Sequence, residues 1–257
     1  MTTTYAFRMV ARMEWIKLRS LRSAWWLLAA SVLAMVAMGT GVGLGYRGHT
    51  PVATAAQIVD NSLGGAVLAQ LFIGALGILV VTGEHSSGTI RSTLMAVPRR
   101  SLVLGAKTVV YGGAALLTGL LASVAGFAAG QIAIAGTPIP AAPVFEPTYL
   151  VPLLLTAVYL GAVGLLGLGL GALIRHSGAA IGVLFGGLFV PMILAGLFGP
   201  SGLPVSRFLP VLMLLNSISV TSPVPGMLPA WAAIAVMAGY AGVAVGLGAV
   251  TLTRRDA

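Results

Sequence analysis

Residues 147–174 read PTYLVPLLLTAVYLGAVGLLGLGLGALI, with no Asp, Glu, Lys or Arg between Glu146 and Arg175. A bilayer core about 30 Å thick needs about 20 apolar residues as helix. Backbone in lipid is satisfied only in helices or closed barrels. The stretch is continuous in Leu, Val, Ala and Gly and lacks the period-2 alternation of a barrel strand. It therefore reads as a membrane-crossing helix. Working outward, uncharged runs also cover 23–46, 61–83, 108–145, 176–206 and 208–253, with the few charges at the joints. The fold class that follows is all-α, a polytopic membrane protein whose function operates in or across a bilayer.

The runs place six transmembrane helices at about 24–45, 62–82, 105–135, 149–174, 178–198 and 229–252. The N-terminus, the 83–104 loop, the 175–177 turn and the C-terminus then share one side. Arg8, Arg12, Lys17, Arg19, Arg22, Arg91, Arg99, Arg100, Arg175, Arg254 and Arg255 lie there, and Lys107, read as first-turn, joins them by snorkelling. Only Arg47 and Arg207 fall opposite. This asymmetry predicts that both termini are cytoplasmic, in a multi-pass protein of the inner (plasma) membrane. It also explains the net charge of +9 without nucleic acid. With 58% hydrophobic and 7% charged residues, against about 25% charged in soluble domains, the chain is expected to be one membrane domain over 1–257. Cysteine is absent, which excludes disulfides and cysteine-metal sites. A cleaved leader is not expected, because the first apolar run is longer than a signal core.

Residues 5–22 are predicted to form an amphipathic, interfacial helix. At about 100° per residue, Arg8, Arg12, Trp15, Arg19 and Arg22 share one sector, while Ala6, Met9, Met13 and Ile16 share another. That pattern suits a helix in the headgroup layer; a disordered basic leader fits the same residues. After the second span comes the most polar stretch, 83–100. Thr89 to Val97 can form a short helix, capped by Ser87 or Thr89 and stopped by Pro98. Ile90, Leu94 and Val97 would form its apolar stripe, which suits docking as well as an ordinary loop. Gly178, Gly182 and Gly186, with Gly126/Gly130, Gly167/Gly171 and Gly39/Gly43, repeat the spacing that lets helices approach closely. Packing within one bundle is the reading preferred over a dimer motif, and Pro191 is read as a kink. Segment 199–228 has Pro- and Gly-rich ends around thirteen apolar residues, 208–220, too short to cross. It is expected as an outer re-entrant segment of two short helices, with Asn216 and Ser217 as the polar tips of a gate or a passive lid.

No phosphate-binding loop, HExxH or GxSxG is present, so no catalytic, cofactor or metal residue is assigned. No carboxylate or Lys lies mid-span, which argues against ion coupling. The adjacent pairs His85-Ser86 and His176-Ser177 read as polar loop residues. A channel would want polar rings along a pore. Any energy for transport must come from another subunit. The competing class is a non-transport membrane protein, such as an immunity factor or assembly scaffold. A neighbouring gene encoding a phosphate-binding loop would discriminate.

Three features together resemble the permease subunit of ABC-2 type ATP-binding-cassette transporters. Glu14-Trp15-Ile16-Lys17-Leu18-Arg19-Ser20 is similar to the connecting helix that opens these permeases. Glu84-x-x-x-Gly88-Thr89-Ile90-Arg91-x-x-Leu94-x-x-x-Pro98-x-Arg100, followed by Lys107, resembles the loop carrying the coupling helix. The apolar dip before the last span resembles the outer re-entrant helices. The resemblance implies a coupling set of Glu84, Gly88, Thr89, Ile90, Arg91, Leu94, Val97, Pro98, Arg99 and Arg100, with Glu84 as acidic anchor. It implies a second permease copy and a separate ATPase chain that binds ATP and magnesium. The expected activity is outward movement of a lipophilic small molecule, peptide or lipid. Sparse aromatics in the spans weaken a polysaccharide.

Overall fold

The computed structural model describes residues 3–47, 53–97, 99–198, 203–220 and 226–254, with the side chains of all but residues 3–6, 91, 94, 96, 198, 203 and 204 among them. Pro98, Arg255 and the Pro- and Gly-rich ends of 199–228 largely lie outside the described residues, as do the side chains of Arg91 and Leu94. The described residues form eleven helices and no strand. They are α1 (Thr3–Ser20), α2 (Arg22–Gly45), α3 (Ala55–Leu63), α4 (Ala66–Ser86), α5 (Thr89–Ala96), α6 (Arg100–Ala133), α7 (Pro147–Ile174), α8 (Ser177–Phe198), α9 (Leu203–Ser206), α10 (Pro210–Ile218) and α11 (Ala230–Arg254). Six helical stretches are long and apolar enough to span a bilayer: α2, α3 with α4, α6, α7, α8 and α11. The protein is an all-α polytopic membrane protein.

The spans run further than their uncharged cores. The second starts at Ala55, where Thr54 Oγ1 accepts from the Gln57 amide and Gln57 Oε1 accepts from the Thr54 amide, a reciprocal cap. The sixth ends at Arg254. The third begins at Arg100, so Lys107 lies two turns inside α6 rather than in its first turn. Helix α8 runs unbroken through Pro191.

α4 and α7 form the centre, with two-thirds of their most apolar windows buried, whereas those of α2, α8 and α11 are less than a third buried and leave apolar faces open as lipid requires. Tyr111 of α6 donates to the Ile73 carbonyl, and Tyr159 of α7 donates to Gln70 Oε1 at 2.7 Å. Both rings and Gln70 are buried, so both tyrosine hydroxyls find acceptors where they leave water.

Glycines set the closest crossings. A Cβ on Gly39 would strike the Gly126 backbone, one on Gly167 the Gly74 backbone, and one on Gly171 the Ile78 backbone. Within-bundle packing therefore holds for Gly39/Gly43, Gly126/Gly130 and Gly167/Gly171. It fails for Gly178, Gly182 and Gly186: Cβ atoms on Gly182 and Gly186 would meet nothing, and one on Gly178 only the His176 ring. That stripe faces away from the other described residues.

Candidate functional site

The densest polar chemistry gathers where α1, α4, α5 and α6 meet. Along α1, Val10, Glu14 and Leu18 recur every four residues and are buried, which puts a carboxylate inside an apolar stripe. Glu14, 3% exposed, accepts from Lys107 at 2.5 Å and from Lys17 at 3.0 Å. Glu84 Oε1 accepts from the same two ammonium groups, at 2.8 Å from Lys17 and 3.1 Å from Lys107. Lys17 also donates to Thr93 Oγ1 of α5 at 3.1 Å. Two carboxylates and two ammonium groups thus form a neutral, alternating knot. Burial of ions is tolerable only when each is paired and hydrogen-bonded.

Lys107 is 4% exposed. The expectation that it snorkels is therefore corrected: placed deep in α6, it reaches Glu14 and Glu84 instead of water. Burial alone pushes the Lys17 ammonium down, but the hydrogen bonds and charges of Glu84 and Glu14 outweigh it and hold the pKa above its usual value. A half-open cavity of about 380 Å³ adjoins the knot, lined by all four charges together with Leu18 and Val80. Glu84 Oε2 is buried without a partner among the described residues.

The link from α4 to α5 turns on Gly88, whose φ of 71° favours glycine. No side chain caps α5, so the expected cap by Ser87 or Thr89 is not formed. Ser87 Oγ instead donates to the Gly83 carbonyl at 2.7 Å and lies 2.9 Å from Thr89 Oγ1. Ile90 and Thr93 face inward, both 6% exposed, and Val97 packs against the Val10, Val103 and Ala106 cluster. Ile90 and Val97 are thus spent inside this chain, and among the described side chains of α5 the apolar one turned outward is Met95, at 77% exposure. Arg99 is exposed. Arg100 donates to the Leu252 carbonyl at 2.8 Å, and Arg175 to the Thr251 carbonyl at 3.1 Å. These two arginines sit on the last carbonyls of α11, where positive charge is favoured.

On α1, Arg8, Arg12, Trp15 and Arg19 are exposed, as is Arg22 at the start of α2. Met9 and Ile16 are open on another side, at 55% and 59%. The helix therefore has three sectors, one basic, one apolar and open, one packed on α6.

At the opposite end, Asn216 and Ser217 are buried, which corrects the expectation that they are polar tips. Asn216 donates to the Leu228 carbonyl at 3.1 Å, holding α10 to the approach of α11. Asp60 of α3 accepts from the Val220 amide at 2.6 Å, a link that sequence reasoning missed because Asp60 merely bounded an uncharged run. The Val10–Glu14–Leu18 spacing was the signal for Glu14.

A family model described as an ABC-2 family transporter protein matches residues 10–168, more than half of the chain. The chain belongs to the ABC-2 transporter family. In this ABC-2 family protein the matched region begins at the buried Val10 of α1 and contains all four charges of the knot. No curated protein matches the chain.

Proposed function

We propose that this ABC-2 family protein is the membrane-spanning permease subunit of an ATP-driven exporter. A separate ATPase chain, which binds ATP and magnesium, docks on α5 and its flanks at the cytoplasmic face of the inner membrane. A second permease copy completes the path, and the cargo is a lipophilic small molecule, peptide or lipid. The observation that carries the reading is the knot of Glu14, Lys17, Glu84 and Lys107, because it joins α5 to α1, α4 and α6 through charge-assisted bonds. A displacement of α5 by a partner is then passed to three helices together, and the adjoining cavity leaves room for the movement.

Met95→Asp tests docking without touching the core, since Met95 is an exposed apolar residue of α5. The tagged full chain purified from its native membranes is expected to carry ATP hydrolysis and a chain with a phosphate-binding loop. Met95→Asp should lose both while its abundance in the membrane stays unchanged. Equal hydrolysis in wild type and variant would refute docking at α5, and none in the wild type would refute the exporter reading.

A further inference from the structure

The segment between α8 and α11 packs far along the spans. Val211 belongs to one buried cluster with Ile78, Leu184 and Leu188, and Leu188 is halfway along α8. Tyr240 donates its hydroxyl to the Phe208 carbonyl at 3.2 Å. Its position, ten residues into α11, is about 15 Å along that helix. The Arg207 guanidinium lies over the Phe208 ring, 4.9 Å from its centroid. Phe208, Leu209 and Pro210 in turn wall an apolar groove of about 660 Å³ between α7, α8 and α11. That volume is within the range of small-molecule sites. No carboxylate lines the groove.

Arg47 and Arg207 differ sharply. Arg47 donates to the Ala133 carbonyl at 2.7 Å at the end of α6. Arg207 has no hydrogen-bond or ion-pair partner among the described residues, and its side chain is exposed. A cation kept at membrane depth is expensive and marks a pathway or a counter-ion. The groove has no charged side chain in its lining, and the cation lying over its wall residue Phe208 lacks an anion among the described residues. One molecule supplies both needs.

We propose that this groove binds a single-chain anionic amphiphile, with its alkyl chain between α8 and α11 and its carboxylate or phosphate on Arg207. Binding requires no ATPase, so the inference stands or falls separately from the exporter reading. The test uses the full chain in phosphatidylcholine nanodiscs with cis-parinaric acid as fluorescent probe. Binding should saturate, weaken about tenfold in Arg207→Gln and stay within a few-fold in Arg207→Lys. Gly187→Phe should abolish it, because a side chain at Gly187 enters open groove rather than packed atoms. On the wild type, palmitate should displace the probe and hexadecyltrimethylammonium should not. Equal displacement by the ammonium compound, or undiminished binding by Arg207→Gln or Gly187→Phe, overturns the proposal. So does displacement by phosphatidylglycerol built into the discs, which would make the site that of a bilayer lipid.

Discussion

Glu14 shows how one side chain decides the character of an element. Alone it would be a misplaced charge on the packed stripe of α1; with Lys107 and Lys17 it becomes the reason α1 is fastened to α6. Removing one partner leaves a buried, uncompensated ion, which costs about 3–5 kcal/mol, whereas replacing both with apolar groups is often neutral. Lys107→Met should therefore lower the melting temperature of the detergent-purified protein strongly. Combined with Glu14→Leu it should recover most of the loss. Equal destabilisation by the single and double variants would show that packing, not pairing, fixes the helix. Lys17 adds a pH signature. Its pKa is held above the usual value, so its stabilisation is complete below the unfolded value of about 10.4 and lost as pH rises through the folded one. Wild-type melting temperature should fall above about pH 10.4 more steeply than that of Lys17→Met.

At the scale of elements, the charge-free runs revealed the six spans and little of where each helix stops. The reason is physical: a charge ends an apolar run but does not end a helix. Glu84 belongs to α4 and Lys107 to the interior of α6 because each neutralises the other through space, information that no local window contains. Glycine spacing was similarly half-informative. The same four-residue repeat marks backbone contact at Gly39 and open space at Gly182, since only the partner's position tells them apart. Gly39→Val should thus drive α2 from α6 against backbone that cannot yield, at a cost of at least about 1–3 kcal/mol. Gly182→Ala should leave thermal stability within about 0.5 kcal/mol. Melting curves of the two variants check this, and comparable losses would contradict the packing. Likewise His176, read from sequence as a loop residue, accepts the Ala179 amide through Nδ1 at 3.2 Å and caps the start of α8.

For the whole molecule, orientation in the membrane is the property on which the exporter reading depends, and it rests on charge. The spans place α5, the knot and the last turn of α11 at one end of the bundle, with Arg47 and the loop before α7 at the other. Exposed tryptophans mark both ends, with Trp15, Trp25 and Trp26 near the first and Trp231 near the second, as interfacial anchors do. We expect both termini in the cytoplasm from the distribution of Lys and Arg. A cytoplasmic fluorescent reporter after Arg255 should be bright and an alkaline phosphatase there inactive. A finer check uses the absence of cysteine and two exposed side chains. Ser206 is unsuited to labelling because it is 5% exposed, whereas Phe145 is 88% and Met95 77% exposed. Phe145→Cys should react with an impermeant thiol reagent added to intact cells. Met95→Cys should react only after the membrane is opened. Because the single span α6 separates Met95 from Phe145, the reverse pattern would invert the protein and put α5 out of reach of any cytoplasmic ATPase. Labelling of both from outside would break the six-span topology itself.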